Sequence, residues 1–542
     1  MKFERSSGIL LHPTSLPGPY GIGDLGSQAY RFIDWLASTG CKLWQVLPLG
    51  PTGYGDSPYQ CFSAFAGNPY LISPDLLIQD GFLTQADFAD REASPLGDMP
   101  DFNASLVNFG LLIPWKLNLL LKAFSNFALS GATRAERSET QTKRASADEA
   151  PPPSNVAALH KEFDYFCAEN AAWLDDYALF MSIKEANGGG AWNAWDKSIR
   201  TRKKSAMDKA RKAHAESVQR YSFYQFLFFR QWNNLKKYAN EKGIRIIGDI
   251  PIFIAYDSAD AWSHPDLFFL DENSLPTVVA GVPPDYFSPT GQLWGNPLYR
   301  WDAHKETDYA WWIERFRAVL KLVDIVRLDH FRGFAGYYEI PFGAKTAETG
   351  RWVPGPGNDF FQSISLALSG VTSDSQERSR NAGDAELPII AEDLGVITPD
   401  VERLRDDFKL PGMKILQFGF DGAKNPFLPH NYPAHCVAYT GTHDNDTARG
   451  WYDSAPEHER KFALKYLNTD ADHFVWEMMR SVWSSVAVYA IAPMQDALNL
   501  GGYARMNFPS RLGGNWEWRM KESDMNEHLA GGLRELNGLY LR

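Results

Sequence analysis

Three short apolar runs in this chain end in a carboxylate: IVRLDHF at 325–331, IIAEDLG at 389–395 and YTGTHDN at 439–445. A buried parallel strand reads as a continuous aliphatic run, so Asp329, Glu392 and Asp444 fall where such strands leave the core. Two carboxyl groups facing one substrate bond can divide its cleavage, an ionised one attacking and a protonated one giving its proton to the departing group. That division requires unlike surroundings. Arg327 lies two residues before Asp329, hence on the same side of an extended strand, and can keep the aspartate ionised; Asp324 and Asp249 are equally open partners for it. Glu392 follows Ile389, Ile390 and Ala391, where desolvation raises a carboxyl towards the range of a general acid. A lone strand-end acid is as often half of a structural ion pair; three in the same position along three runs shift the reading to chemistry.

Such acids meet around one substrate only if the strand ends converge, as they do at one face of a parallel (β/α)8 barrel. Eight apolar runs are present, at 8–12, 43–47, 245–250, 325–328, 388–391, 413–419, 436–440 and 487–492. Between them, 30–37, 224–239 and 309–323 repeat apolar residues at three- and four-residue intervals, the signature of a helix packed on a sheet. Thr398-Pro399 opens a further helix, with a capping threonine and a proline at the first helical position. The expected fold class is therefore α/β, a TIM (β/α)8 barrel of repeated βα units with large inserted, mainly helical subdomains.

The 542 residues exceed the roughly 250 of a bare barrel, so about half the chain is insertion. One inserted subdomain is expected over roughly 51–220, with helical patterning at 111–127 and 171–184 and a mobile linker at about 130–153, where charges, small residues and three consecutive prolines offer little to bury. A loop subdomain is expected over roughly 255–301 after the third strand, and a polar surface excursion at about 369–385. All belong to a single catalytic domain.

Fifty-four basic residues against 66 acidic ones, a net charge of −12, argue against a nucleic-acid or anionic-membrane partner and favour a neutral ligand. The one basic stretch, 200–212, reads as a solvated face. Cys41, Cys61, Cys167 and Cys436 stand singly, without the spacing of a zinc site or disulfide framework. With neither a signal-peptide pattern nor an uninterrupted apolar span, the expected location is cytoplasmic.

Eight longer segments carry a resemblance. They are SSGILLHPTSLPGPYGIGDLG at 6–26, WQVLPLGPTGYGDSPYQCFSAFAGNPYLI at 44–72, GDIPIFI at 248–254, AGVPPDYFSPTGQLWGNPLYRW at 280–301, RLDHFRGF at 327–334, AEDLG at 391–395, GTHDN at 441–445 and ARMNFPSRLGGNWEWR at 504–519. In this order they resemble the 4-α-glucanotransferases of glycoside hydrolase family 77, the amylomaltases or disproportionating enzymes of the α-amylase clan; 75–220 matches less distinctively.

The resemblance implies retaining transfer of α-1,4-glucan segments between donor and acceptor sugars, maltooligosaccharides or starch- and glycogen-type glucans, by a monomer or weak homodimer. No metal or organic cofactor is expected, because two carboxyls supply both nucleophile and proton. By the same resemblance Asp329 is the nucleophile, Glu392 the acid/base and Asp444 a third acid holding sugar hydroxyls. His330 and His443 lie near the sugar, Asp249 supports the centre, and Tyr59 lies on the donor side. Gln292 and Trp294 belong to a Pro- and Gly-rich segment, 283–297, expected as a movable lid over the acceptor.

Overall fold

Each of the eight apolar runs contains a strand in the computed structural model, although 416–419 of the run 413–419 form a 3-10 turn; the structure describes residues 3–89, 99–140, 154–284, 288–369, 386–509, 511 and 513–542. The described strands, in chain order, are β1 Ser6–Leu10, β2 Leu43–Gln45, β3 Arg245–Pro251, β4 Val278–Val282, β5 Gln292–Pro297, β6 Ile325–Asp329, β7 Gly336–Pro341, β8 Arg351–Pro354, β9 Ile389–Ala391, β10 Gly412–Ile415, β11 Cys436–Tyr439 and β12 Tyr489–Pro493. Eight of them form one sheet in the order β10-β11-β12-β1-β2-β3-β6-β9, and every pairing in it is parallel. The N–H of Ala391 donates to the carbonyl of Pro411 at 2.9 Å and bridges the remaining gap between β9 and β10, closing the barrel.

The strands are buried because their side chains fill the barrel or meet the surrounding helices: Ile246, Ile247, Ile250, Ile325, Val326, Leu328, Ile389 and Ile390 are all inaccessible to solvent. Close approach of β1 to β2 requires Gly8, where a Cβ would lie 2.4 Å from the Leu43 carbonyl oxygen. Helices Ser27–Ser38, Ala215–Glu241 and Ala310–Leu322 cover the outside, matching the periodic stretches. The βα alternation fails once, between β10 and β11, where only short 3-10 turns occur. Pro399–Asp407 is helical with Thr398 at its N-cap, but the threonine makes no side-chain cap hydrogen bond.

Between β2 and its returning helix stand the long helices Phe109–Thr140 and Ser154–Ala186. The stretch 130–153 does not begin as a linker, because the first helix continues to Thr140 through alanines, arginines and glutamates of high helix propensity; 141–153 lie outside the described residues, as do 370–385 of the polar excursion.

Sequence reading gave no strands beyond the barrel, yet β4, β5, β7 and β8 form a second, antiparallel sheet in the order β5-β4-β7-β8. It stands on the connections that follow β3 and β6, beside the strand ends. Among the described residues, no helix is long and apolar enough to cross a membrane.

Candidate functional site

Arg327 lies in the barrel interior with its side chain 4% exposed, between two acids from neighbouring strands. Its Nη1 donates to Asp249 Oδ2 at 2.5 Å and to Asp329 Oδ1 at 2.9 Å. The register explains the meeting: Asp249 is directly opposite Arg327 across β3 and β6, and Asp329 follows two residues later on the same side. Asp324, the other open partner, is instead held outside the barrel by Lys236, Asn240 and the Ile246 N–H. Asp249 has no exposed side-chain surface and also accepts from Tyr59 Oη at 2.7 Å, whereas the Asp329 carboxylate is 27% exposed. Of the two acids that Arg327 holds, Asp329 is therefore the one a ligand can reach.

Glu392, one residue past β9, accepts from the backbone N–H of His330 at 2.6 Å and of Leu394 at 3.0 Å. At His330 the chain then turns through a left-handed conformation, φ 51°, uncommon for a side chain with a Cβ. The residue after one acid thus positions the other. Burial, reinforced by the charge of Asp329 and opposed by Arg327 and the two N–H donors, pushes Glu392 up to about 8. Burial also raises Asp329, but Arg327 touches it and opposes the rise. The two acids differ in what opposes the rise: a guanidinium in direct contact with Asp329 and, among the described residues, only backbone N–H groups in contact with Glu392.

Asp444 is held at the mouth by Asn507 Nδ2, 2.7 Å from Oδ1, and by His443 Nε2, 3.3 Å from Oδ2. Burial acts to raise it, and the His443 contact together with the Asn507 hydrogen bond outweighs this, leaving it below the usual carboxylate range. His443 stacks on Tyr59 at 4.9 Å between centroids with the rings 13° from parallel, and Trp516 packs against both. His330 has its Nε2 buried without a hydrogen-bond partner, and burial holds its imidazole down at about 4. Trp294 meets its ring edge-on at 4.9 Å and donates from Nε1 to Gln292 Oε1 at 3.1 Å.

All ten residues singled out from the sequence thus gather along the mouth and upper interior of the barrel. Trp294 and Gln292, of the segment expected as a movable lid, lie on β5, an edge strand hydrogen-bonded to β4 that also contains Gly295 and Pro297. Asn507 and Trp516 were not singled out, although both fall in the segment 504–519 that carried the resemblance. Among the described residues, no group of three or more His, Cys, Asp and Glu is placed to hold a metal ion.

An aspartate held by a guanidinium together with a glutamate whose burial favours the protonated form, with a third acid and aromatic faces around them, suits displacement at an acetal carbon with proton transfer to and from oxygen. Comparison with known proteins points the same way. The family model described as 4-alpha-glucanotransferase, glycoside hydrolase family 77, matches residues 11–525. The chain is 48% identical to the 4-alpha-glucanotransferase of Thermus thermophilus over 99% of both chains. It is 42% identical to a chloroplastic/amyloplastic 4-alpha-glucanotransferase of Arabidopsis thaliana, over 99% of this chain and 86% of that one. Its structure matches amylomaltase from Streptococcus agalactiae, solved in complex with acarbose, with a TM-score of 0.87 at 38% identity, covering 99% of this chain and all of the other.

Proposed function

From the chain's membership of the 4-alpha-glucanotransferase family, glycoside hydrolase family 77, an enzyme that transfers glucan segments, we propose a retaining mechanism through a covalent glycosyl-aspartate. An Asp329 oxygen bonds to the anomeric carbon of an α-1,4-glucan donor as the bond from that carbon to the departing O4 breaks. The Glu392 proton passes to that oxygen, and glucose or a short glucan leaves. An acceptor 4-hydroxyl then gives its proton to Glu392, its oxygen displaces Asp329, and the α-linkage is restored. Asp444 holds hydroxyls of the reacting ring, while Arg327 and Asp249 fix and charge-balance the nucleophile. His330 and His443 donate to sugar hydroxyls. Tyr59 supports the donor side, and Trp294 with Gln292 supports the acceptor side. Maltooligosaccharides or starch- and glycogen-type glucans are the proposed substrates.

The observation that supports this most is the unlike surroundings of the two carboxyls, Asp329 in contact with the Arg327 guanidinium at 2.9 Å and Glu392 held by backbone N–H groups alone and pushed by burial up to about 8. A 5-fluoro-α-glucosyl fluoride tests it, because the fluoride activates the first step and the ring fluorine slows the second. Denaturing mass spectrometry of the quenched protein then shows one added fluoroglucosyl group on the peptide containing Asp329. Turnover with no adduct, or an adduct elsewhere, rejects the assignment.

Two further outcomes follow from the same geometry. The general acid must be protonated in the resting enzyme, so glucose release from maltotriose falls as pH rises through about 8, where Glu392 loses its proton. Glu392→Gln removes that limb along with ~10²–10⁴-fold of rate; a wild-type profile flat to pH 10 rejects the role. Transfer wins over hydrolysis only where an acceptor is held and water displaced, so Trp294→Ala lowers the ratio of lengthened products to new reducing ends. An unchanged ratio removes Trp294 from the acceptor side.

A further inference from the structure

Outside the barrel mouth, a cleft of about 430 Å³ opens between the inserted helix Ser154–Ala186 and the barrel helix Ala310–Leu322. This volume is in the range of small-molecule sites, roughly 300–1,000 Å³. Phe65, Trp173 and Trp311 form its apolar walls, and none of the proposed catalytic residues lines it. The rings of Phe65 and Trp173 lie 6.4 Å apart and 14° from parallel, with Trp311 edge-on to Phe65 at 5.9 Å. Trp173 is partly exposed, and its Nε1 donates to Asn170 Oδ1 at 3.2 Å, so the ring is held in place while surface remains open. Around these rings stand Glu169, Asp266 and Lys321, exposed groups with no side-chain hydrogen bond or ion pair among the described residues.

Rigid aromatic faces with polar donors and acceptors at their margin suit a ligand with apolar faces and hydroxylated edges. A structural crevice between helices closes with aliphatic contacts; this one keeps an indole open beside unpaired polar groups. An anion meets an excess of carboxylates here, and a flat apolar ligand leaves those groups unused. The floor also belongs to the catalytic segment: Phe65 lies six residues beyond Tyr59, and Asp260, which lines the cleft, accepts from the Ala64 N–H at 2.8 Å.

We propose that this cleft is an accessory binding site for a segment of α-1,4-glucan, separate from the catalytic groove, with Trp173 and Phe65 as its stacking platform. Resting on the glucan specificity argued above, it tethers a long substrate chain and raises the local concentration of chain ends at the barrel mouth. Short oligosaccharides, unable to span both sites, gain nothing from it.

The test is calorimetric titration of maltotriose into Asp329→Asn protein, where turnover is blocked, compared with the same protein carrying Trp173→Ala or, to fill the cleft from its exposed rim, Ala310→Trp. Two binding events are expected in the parent and one in either cleft variant, with the KM for amylose rising at least several-fold in the corresponding variants of active protein. One event of unchanged size in all three proteins overturns the accessory site alone. No maltotriose binding in any of them overturns the glucan reading as well.

Discussion

Asp329→Asn is expected to lower glucose release from maltotriose by on the order of 10⁴- to 10⁶-fold, the loss seen when a covalent catalyst is deprived of its nucleophile or its nucleophile's partner. The amide occupies nearly the same volume but cannot bond covalently to the anomeric carbon. The fold should tolerate the change, since Arg327 keeps its shorter contact with fully buried Asp249. Maltotriose should still bind, and the thermal midpoint should stay close to that of the parent. Residual activity within tenfold of wild type would move the nucleophile to another acid at the mouth, Asp444 being the nearest alternative by chemistry.

Arg327→Met should damage both the fold and the reaction. Among the described residues the guanidinium is the one cation in contact with Asp249, whose side chain has no exposed surface, and its loss leaves that carboxylate with the Tyr59 hydroxyl at 2.7 Å and a long contact to Gln45 at 3.5 Å. Stranding one partner of a buried pair costs about 3–5 kcal/mol. Catalysis should fall too, because Asp329 loses the charge that opposes its desolvation and becomes protonated over more of the working pH range. Adding Asp249→Asn separates the effects. The double variant should recover much of the thermal midpoint, as no buried charge is left unpaired, while the acid limb of its activity profile stays shifted to higher pH. Recovery of activity together with stability would reduce Arg327 to a purely structural residue.

The barrel was legible because a parallel strand buried on both faces must be aliphatic along its length, and β3, β6, β9 and β12 announce themselves in this way. The pairing of Arg327 with Asp329 was legible for a similar local reason, the two-residue period of a strand. The second sheet was not. Its strands β5 and β8 read QLWGNP and RWVP, short and rich in proline and glycine, and become strands through their neighbours rather than by propensity. Asn507 and Trp516 escaped for another reason: neither lies in a helix or strand, and they reach Asp444, Tyr59 and His443 only through tertiary folding. Nor does any local pattern announce the left-handed turn at His330.

The seam of the barrel sets a timetable for synthesis. β1 pairs with β12, and Arg5 beside the first strand donates to the carbonyl of Ser485, a contact spanning 480 positions. At roughly 5–20 residues per second, the ribosome releases the first strand on the order of half a minute or more before its last partner. Throughout that interval β1 presents an unpaired edge of buried character, with β2 on one side and nothing on the other. A nascent chain of this architecture therefore needs either a chaperone or temporary cover from its own inserted helices, which emerge early enough to shield it.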